Sequence, residues 1–198
     1  MQKTAQERSR MMEPYGFFAM LSRMKYISRW GLMRNSRTEN LSEHTLETAY
    51  FAHALALIEG ADPARVVLCA LYHDCSEILT GDLPTPVKYH NPAIKESYKA
   101  IEEAAAGRLL ATLPSELAER YRPCFFEEDP QVRRLVKAAD KLSALVKCIE
   151  EIRMGNNDFL SARESQLAAL REMGIPAVDI FLREYLPAFD RTLDEISR

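Results

Sequence analysis

Four side chains spread along the chain could together hold a divalent cation: His44, the adjacent pair His73 and Asp74, and Asp140 within Lys137-Ala-Ala-Asp-Lys-Leu. Two imidazoles and two carboxylates are donors such an ion takes, and the carboxylates supply charge to neutralise it. His73 and Asp74 are hard to use in packing alone, because neighbours on a helix point about 100° apart and one of these is anionic. Taken singly, each residue has a plainer role. A histidine on an apolar face is usually a hydrogen-bonded core residue, and a helical aspartate is usually solvated. A catalytic metal site accounts for all four at once. This donor set suits one Mn²⁺, Co²⁺, Fe²⁺ or Zn²⁺ better than Mg²⁺, and the sequence does not choose among them.

Glu77 follows His73 by four residues, which on one continuous helix places the two on a single face, about 6 Å apart at Cβ. A carboxylate there could take a proton from water attacking an electrophile; the plainer reading is a surface glutamate near a helix end. The segment Gly81-Asp-Leu-Pro-Thr-Pro-Val-Lys88 leaves next, a stiff loop whose Asp82, Thr85 and Lys88 could meet a ligand or merely make a turn. Arg29-Trp30 offers a guanidinium for phosphate and an indole for shape selection, and equally reads as a capping arginine beside a core tryptophan. His53 falls about half a turn away from His44, and His90 lies in a loop before Asn91-Pro92.

The elements that must position these groups read as helices almost throughout. Gly is rare, and period-two runs of β-branched residues are absent. The pattern predicts a helix over 16–28, a polar loop, and a helix over 43–59 capped by Asn40 or Ser42, with a core stripe of Leu46, Ala49, Tyr50, His53, Ala54 and Leu57. Asp62-Pro63 opens a third helix running to Thr80 and stopping at Gly81. The prolines of 82–88 predict a non-helical segment. Helices near 92–112 and 115–121 follow, then a long one from Asp129-Pro130 to Met154, and two more over 158–172 and 176–196, the last kinked or split at Pro187. The metal reading requires three of these helices to converge, as buried sites in bundles do.

At 198 residues the chain suits one domain able to bury roughly 70% of its unfolded surface. With 47% hydrophobic and 28% charged residues it is an ordinary globule, and a net charge of −3 argues against a sequence-independent hold on nucleic acid. Cys69, Cys75, Cys124 and Cys148 form no C-x-x-C pair, and Cys69 and Cys75 read as buried, reduced thiols. No stretch reaches the ~18 apolar residues of a membrane span, and the N-terminus lacks a signal-peptide core, so a cytoplasmic location is expected.

A histidine, a His-Asp pair and a distant aspartate on helices resemble the HD-domain metal-dependent phosphohydrolases. The runs Ser28-Arg-Trp-Gly-Leu-Met-Arg-Asn, Arg37-Thr-Glu-Asn-Leu-Ser-Glu-His, Tyr72-His-Asp-Cys-Ser-Glu-Ile-Leu-Thr-Gly-Asp-Leu-Pro-Thr-Pro-Val-Lys-Tyr and Gly155-Asn-Asn are similar to the bacterial 5′-deoxynucleotidase family (YfbR-like) within that superfamily. The resemblance covers nearly the whole chain. It implies an all-α fold, a single HD-domain helical bundle over 16–198 behind an N-terminal arm of residues 1–15, and a homodimer hydrolysing deoxyribonucleoside 5′-monophosphates. It implies one divalent cation held by His44, His73, Asp74 and Asp140, with Glu77 as acid/base carboxylate and Arg29 orienting the phosphate. Trp30 would crowd the sugar against a 2′-hydroxyl; Asp82, Leu83, Pro84 and Thr85 would line the nucleotide pocket, with Asp82 near the 3′-hydroxyl. His44 and Asp140 would also border the substrate. The long arm, Cys75 and Lys141 depart from the family pattern at positions other than those of the ligands. Two rivals stand: hydrolysis of a cyclic or pyrophosphorylated nucleotide, which would want more basic surface or more metals, and a non-catalytic nucleotide-binding module.

Overall fold

The computed structural model describes residues 15–88 and 90–197, without the side chain of Thr85. Most of the postulated arm, residues 1–14, lies outside them. The described residues form helices α1 (Phe17–Leu21), α2 (Leu41–Glu59), α3 (Pro63–Tyr72), α4 (Glu77–Thr80), α5 (Thr85–Lys88), α6 (Pro92–Leu110), α7 (Ser115–Phe125), α8 (Pro130–Arg153), α9 (Leu160–Glu172), α10 (Pro176–Glu184) and α11 (Leu193–Ile196). Short 3₁₀ turns lie at Met24–Tyr26, Asn157–Phe159 and Leu186–Asp190. Among the described residues the sole β feature is an antiparallel bridge between Ser28 and Asn40.

Local chemistry sets the helix starts. Asn40 Oδ1 accepts from the amides of Ser42 (3.0 Å) and Glu43 (3.1 Å), while Glu43 accepts from the Asn40 amide at 3.2 Å, a reciprocal box that satisfies otherwise orphaned donors. Asp62 and Asp129 cap α3 and α8, each followed by a proline whose missing N–H costs nothing in the first turn. α2, α3 and α8 pack together as the centre of the fold, with α10 against α2. Leu55, Val66, Ala70, Leu135, Ala139 and Leu142 fill the space between them. A smaller core of Phe17, Met24, Leu41, Cys75, Leu109 and Leu113 joins α1 and α6 to the site's rim.

Four expectations need correction. The helix expected over 16–28 is α1 followed by a 3₁₀ turn, after which Ile27–Arg29 pairs with 39–41. The stripe expected in the core of α2 is largely exposed: Leu46, Tyr50 and Leu57 face outward with His53. Thr45, Thr48, Ala52 and Leu55 pack inward instead, because small and hydroxyl side chains let α3 and α8 approach closely. Apolar residues lie all round α2, so periodicity alone does not select its buried face. The helix expected to reach Thr80 stops at Tyr72 and restarts at Glu77, joined by tight turns in which Cys75, Glu77, Ile78 and Leu79 bond three residues back. Finally, 85–88 does make a helical turn. Pro86 occupies its second position, where an N–H would lack an acceptor anyway, and Pro84 O accepts from Val87 (2.8 Å) and Lys88 (3.0 Å).

Candidate active site

α2, the end of α3 and the middle of α8 bring the four sequence-predicted ligands to one point. Ligand atoms of His44, His73 and Asp140 all lie within 4.8 Å of one another. His44 Nε2 stands 3.3 Å from Asp140 Oδ1 and 3.5 Å from Asp74 Oδ2, and His73 Nε2 stands 3.1 Å from Asp74 Oδ2. Yet both Nε2 atoms are buried and form no aligned hydrogen bond. Donors sharing an ion at about 2.1 Å are roughly 3.0–3.4 Å apart in octahedral or tetrahedral geometry, and the separations of 3.1, 3.3 and 3.5 Å here lie within or close to that range. The Nδ1 atoms are engaged elsewhere, at 2.7 Å from Ala70 O for His73 and 2.9 Å from Ser143 Oγ for His44. The donor set therefore fits a divalent transition cation.

Burial opposes protonation of both imidazoles. At His44 it prevails, with Arg29 adding to it, and the pKa is lowered. At His73 the Asp74 carboxylate overrides burial and pushes the pKa up to about 9. Burial alone would raise Asp74 and Asp140, but the facing imidazoles hold both well below the usual carboxylate range. The two imidazoles and two carboxylates thus form a compact set in which positive charge is strongly favoured.

A cavity of about 600 Å³ opens from this point and is bordered by Arg29, Glu77, Asp82, Leu83, Lys88 and Lys137. Glu77 is buried, and its Oε2 has no partner. Burial first, then Asp74 and Asp82, push its pKa up to about 10. The break after Tyr72 means that Glu77 does not share a helical face with His73. The tight winding of 73–76 nonetheless leaves both on the cavity wall.

Arg29 and Trp30 arrive by the short pairing of 27–29 with 39–41, anchored by Arg29 N to Glu39 O and Leu41 N to Ile27 O, each 3.0 Å. One carboxylate oxygen of Glu39 takes both Arg29 Nη1 and Trp30 Nε1 at 2.9 Å. Burial opposes the charge on Arg29, but Glu39, Asp74, Asp140 and Asp82 raise its pKa. Trp30 adopts φ +60°, a left-handed backbone costly for a bulky residue and frequent at functional sites. Its ring packs on Phe159 at 5.3 Å, outside the cavity wall, while its amide meets the Asp82 carboxylate. Pro84 is half-buried and does not border the cavity. Thr85's side chain lies outside the described residues. Lys88 gives its Nζ to Glu102 at 2.6 Å. Sequence reasoning missed Glu39, Glu47 and Ser143, whose partners lie far away along the chain or carry no motif of their own.

The fold is that of the HD-domain phosphohydrolases. An HD-domain phosphohydrolase from Listeria innocua superposes with a TM-score of 0.76 at 26% identity, over 87% of each chain. A cyanophage S-2L HD phosphohydrolase, bound to dA and one catalytic Zn²⁺ ion, shares the fold with a TM-score of 0.65 at 22% identity, covering 88% of this chain and 96% of its own. The family model for 5′-deoxynucleotidase YfbR-like proteins matches residues 16–189, and the chain belongs to that family. A 5′-deoxynucleotidase of Yersinia pestis (strain Pestoides F) is 47% identical over 190 residues, 91% of this chain and 96% of the relative. One from Yersinia pseudotuberculosis (serotype O:1b) matches to the same extent.

Proposed function

We propose that this chain is a metal-dependent 5′-deoxynucleotidase, converting deoxyribonucleoside 5′-monophosphates and water to deoxynucleosides and phosphate. The observation that carries the reading is the pair of buried, unpartnered Nε2 atoms of His44 and His73, closing on Asp74 and Asp140 at one end of a nucleotide-sized cavity. Membership of a family whose relatives are 5′-deoxynucleotidases names the substrate class.

In this reading His44, His73, Asp74 and Asp140 hold one Co²⁺, Mn²⁺, Fe²⁺ or Zn²⁺. Such an ion supplies Lewis acidity toward the phosphate and ionises nearby water at neutral pH. Glu77 would take a proton from the attacking water; the new P–O bond forms as the P–O5′ bond breaks, and Glu77 returns that proton to the departing 5′-oxygen, ending as it began. Burial is the main cause of the raised Glu77 pKa and the Asp74 charge the next, so positive charge bound beside Asp74 would lower it toward the range of a general base. Arg29, held by Glu39, offsets charge on the phosphoryl oxygens. The Trp30 amide fixes Asp82 on the cavity wall, where it would meet the sugar's 3′-hydroxyl beside Leu83, so discrimination against a 2′-hydroxyl would reach the sugar from Trp30 through Asp82.

In this reading the enzyme works as a homodimer in the cytoplasm. No helix among the described residues is long and apolar enough to cross a membrane, and the four cysteines are free. Phosphate release from deoxy-, ribo-, cyclic and pyrophosphorylated nucleotides tests the reading. Turnover of the deoxynucleoside 5′-monophosphates well above the ribo-, cyclic and pyrophosphorylated nucleotides supports it, whereas binding of dAMP without consumption identifies a sensor.

A further inference from the structure

Both imidazoles of the site point Nε2 at the ion position, but different devices hold them. His73 gives its Nδ1 proton to a backbone carbonyl, Ala70 O at 2.7 Å, which can only accept. His44 has no carbonyl partner. Its Nδ1 meets Ser143 Oγ at 2.9 Å, and that hydroxyl donates to Glu47 Oε2 at 2.6 Å. His44 and Ser143 are both wholly buried, so water does not complete either bond.

Proton counting fixes the rest. A serine hydroxyl has one proton, and with Glu47 ionised it goes to that carboxylate. The contact with His44 must then run from Nδ1–H to Oγ, and Nε2 keeps its lone pair. We propose that Ser143 and Glu47 are positioning residues of the metal centre, locking His44 in the Nδ1–H tautomer and aiming its Nε2 at the ion. The inference rests on the metal site proposed above and adds to it the pair of residues that makes one ligand competent.

The competing reading is a serine and a glutamate that merely satisfy each other between α2 and α8. A helical serine ordinarily bonds back to the carbonyl one turn earlier. Ser143 instead reaches across to α2 with both of its contacts. Glu47 is also expensive as a structural acceptor. Burial, countered by the Ser143 bond and reinforced by Glu39 and Glu150, pushes its pKa up to about 7. It borders a separate cleft of about 180 Å³ beside Arg37, Glu43 and Lys147, and does not border the substrate cavity. Its effect on the reaction must therefore pass through His44.

The test is zinc titration of the full chain, with ¹⁵N-histidine NMR of the metal-free protein reporting the His44 tautomer and no nucleotide present. Wild type is expected to show the Nδ1–H form. Ser143→Ala should weaken zinc binding about 10- to 100-fold, the usual effect of removing a partner behind a ligand. Ser143→Thr, which keeps the hydroxyl, should recover most of the affinity. In Glu47→Gln the amide can also donate, turning the serine proton toward His44, so a mixture of tautomers and an intermediate affinity are expected. Should Ser143→Ala fail to fold, Glu47→Gln at its half-buried position carries the test. An Nε2–H tautomer in wild type, or zinc affinity within about twofold of wild type in folded Ser143→Ala (in Glu47→Gln if the alanine variant does not fold), overturns the proposal. A wild-type chain that binds no zinc, cobalt or manganese removes the metal reading as well, and the two failures are thereby told apart.

Discussion

Glu77 shows what the site asks of a single residue. A buried carboxylate with an unpartnered oxygen costs stability whenever it is ionised, since burial and the charges of Asp74 and Asp82 all oppose its charge. Its folded pKa lies above the ordinary value of 4.5, so metal-free stability is full below that value and declines as the pH rises toward about 10. Glu77→Gln is therefore expected to raise the melting temperature of the metal-free protein at pH 8 by about 2–4 °C, on the order of 1 kcal/mol. The same change should lower turnover by at least ~10²-fold with nucleotide binding retained. Paired scanning calorimetry and phosphate-release assays check this; normal turnover removes Glu77 from the mechanism. His73 supplies a second expectation. A proton held with a pKa of about 9 must leave before the ring can ligate, so apparent zinc affinity should climb between pH 6.5 and 8.5, by up to about tenfold per unit. A flat profile by calorimetric titration would show that His73 is not a ligand.

Among the elements, the loop from Trp30 to Glu39 is held by α8. Glu151 is buried and takes the amides of Ser36 (2.8 Å) and Arg37 (3.2 Å), Asn156 Nδ2 (2.7 Å) and the ammonium of Lys147, which also reaches Arg37 O at 2.5 Å. Burial would raise this carboxyl, but these donors hold it well below the carboxylate range. Its share of stability is thus present above about pH 4.5 and lost as the pH falls. Glu151→Ala leaves Lys147 buried and unpaired and should destabilise the fold by about 3–5 kcal/mol in urea denaturation. A loss below about 1 kcal/mol would mean that the anchor is solvated. Little of this was legible beforehand. The four residues that converge could be singled out because histidine and aspartate on apolar helices are chemically conspicuous, and helix starts because Asn40, Asp62 and Asp129 announce themselves. Glu39, Ser143 and Glu47 are common polar residues whose roles exist only in contact; Ser143 and its partners are separated by 99 and 96 positions. The break at 73–76 leaves no mark in the sequence, since no glycine or proline stands there and the chain simply tightens into three-residue turns.

The whole molecule presents Leu46, Tyr50 and Leu57 along one exposed line of α2, the face that periodicity would have buried. Hydropathy counts apolar side chains without knowing whether their cover comes from the same chain. We assign this line to the proposed homodimer contact. Tyr50→Glu should convert a dimer to a monomer in size-exclusion chromatography with light scattering, leaving the metal ligands intact. An unchanged mass would place the contact elsewhere. The central claim is that one ion, gripped by α2, α3 and α8, drives phosphate release. Its most direct test is the rate of phosphate release from dAMP by one preparation measured before chelation, after chelation, and after returning divalent metal in stoichiometric steps. The account predicts that activity vanishes on chelation and returns in full at one equivalent per chain. Turnover that persists in the chelated protein would contradict it.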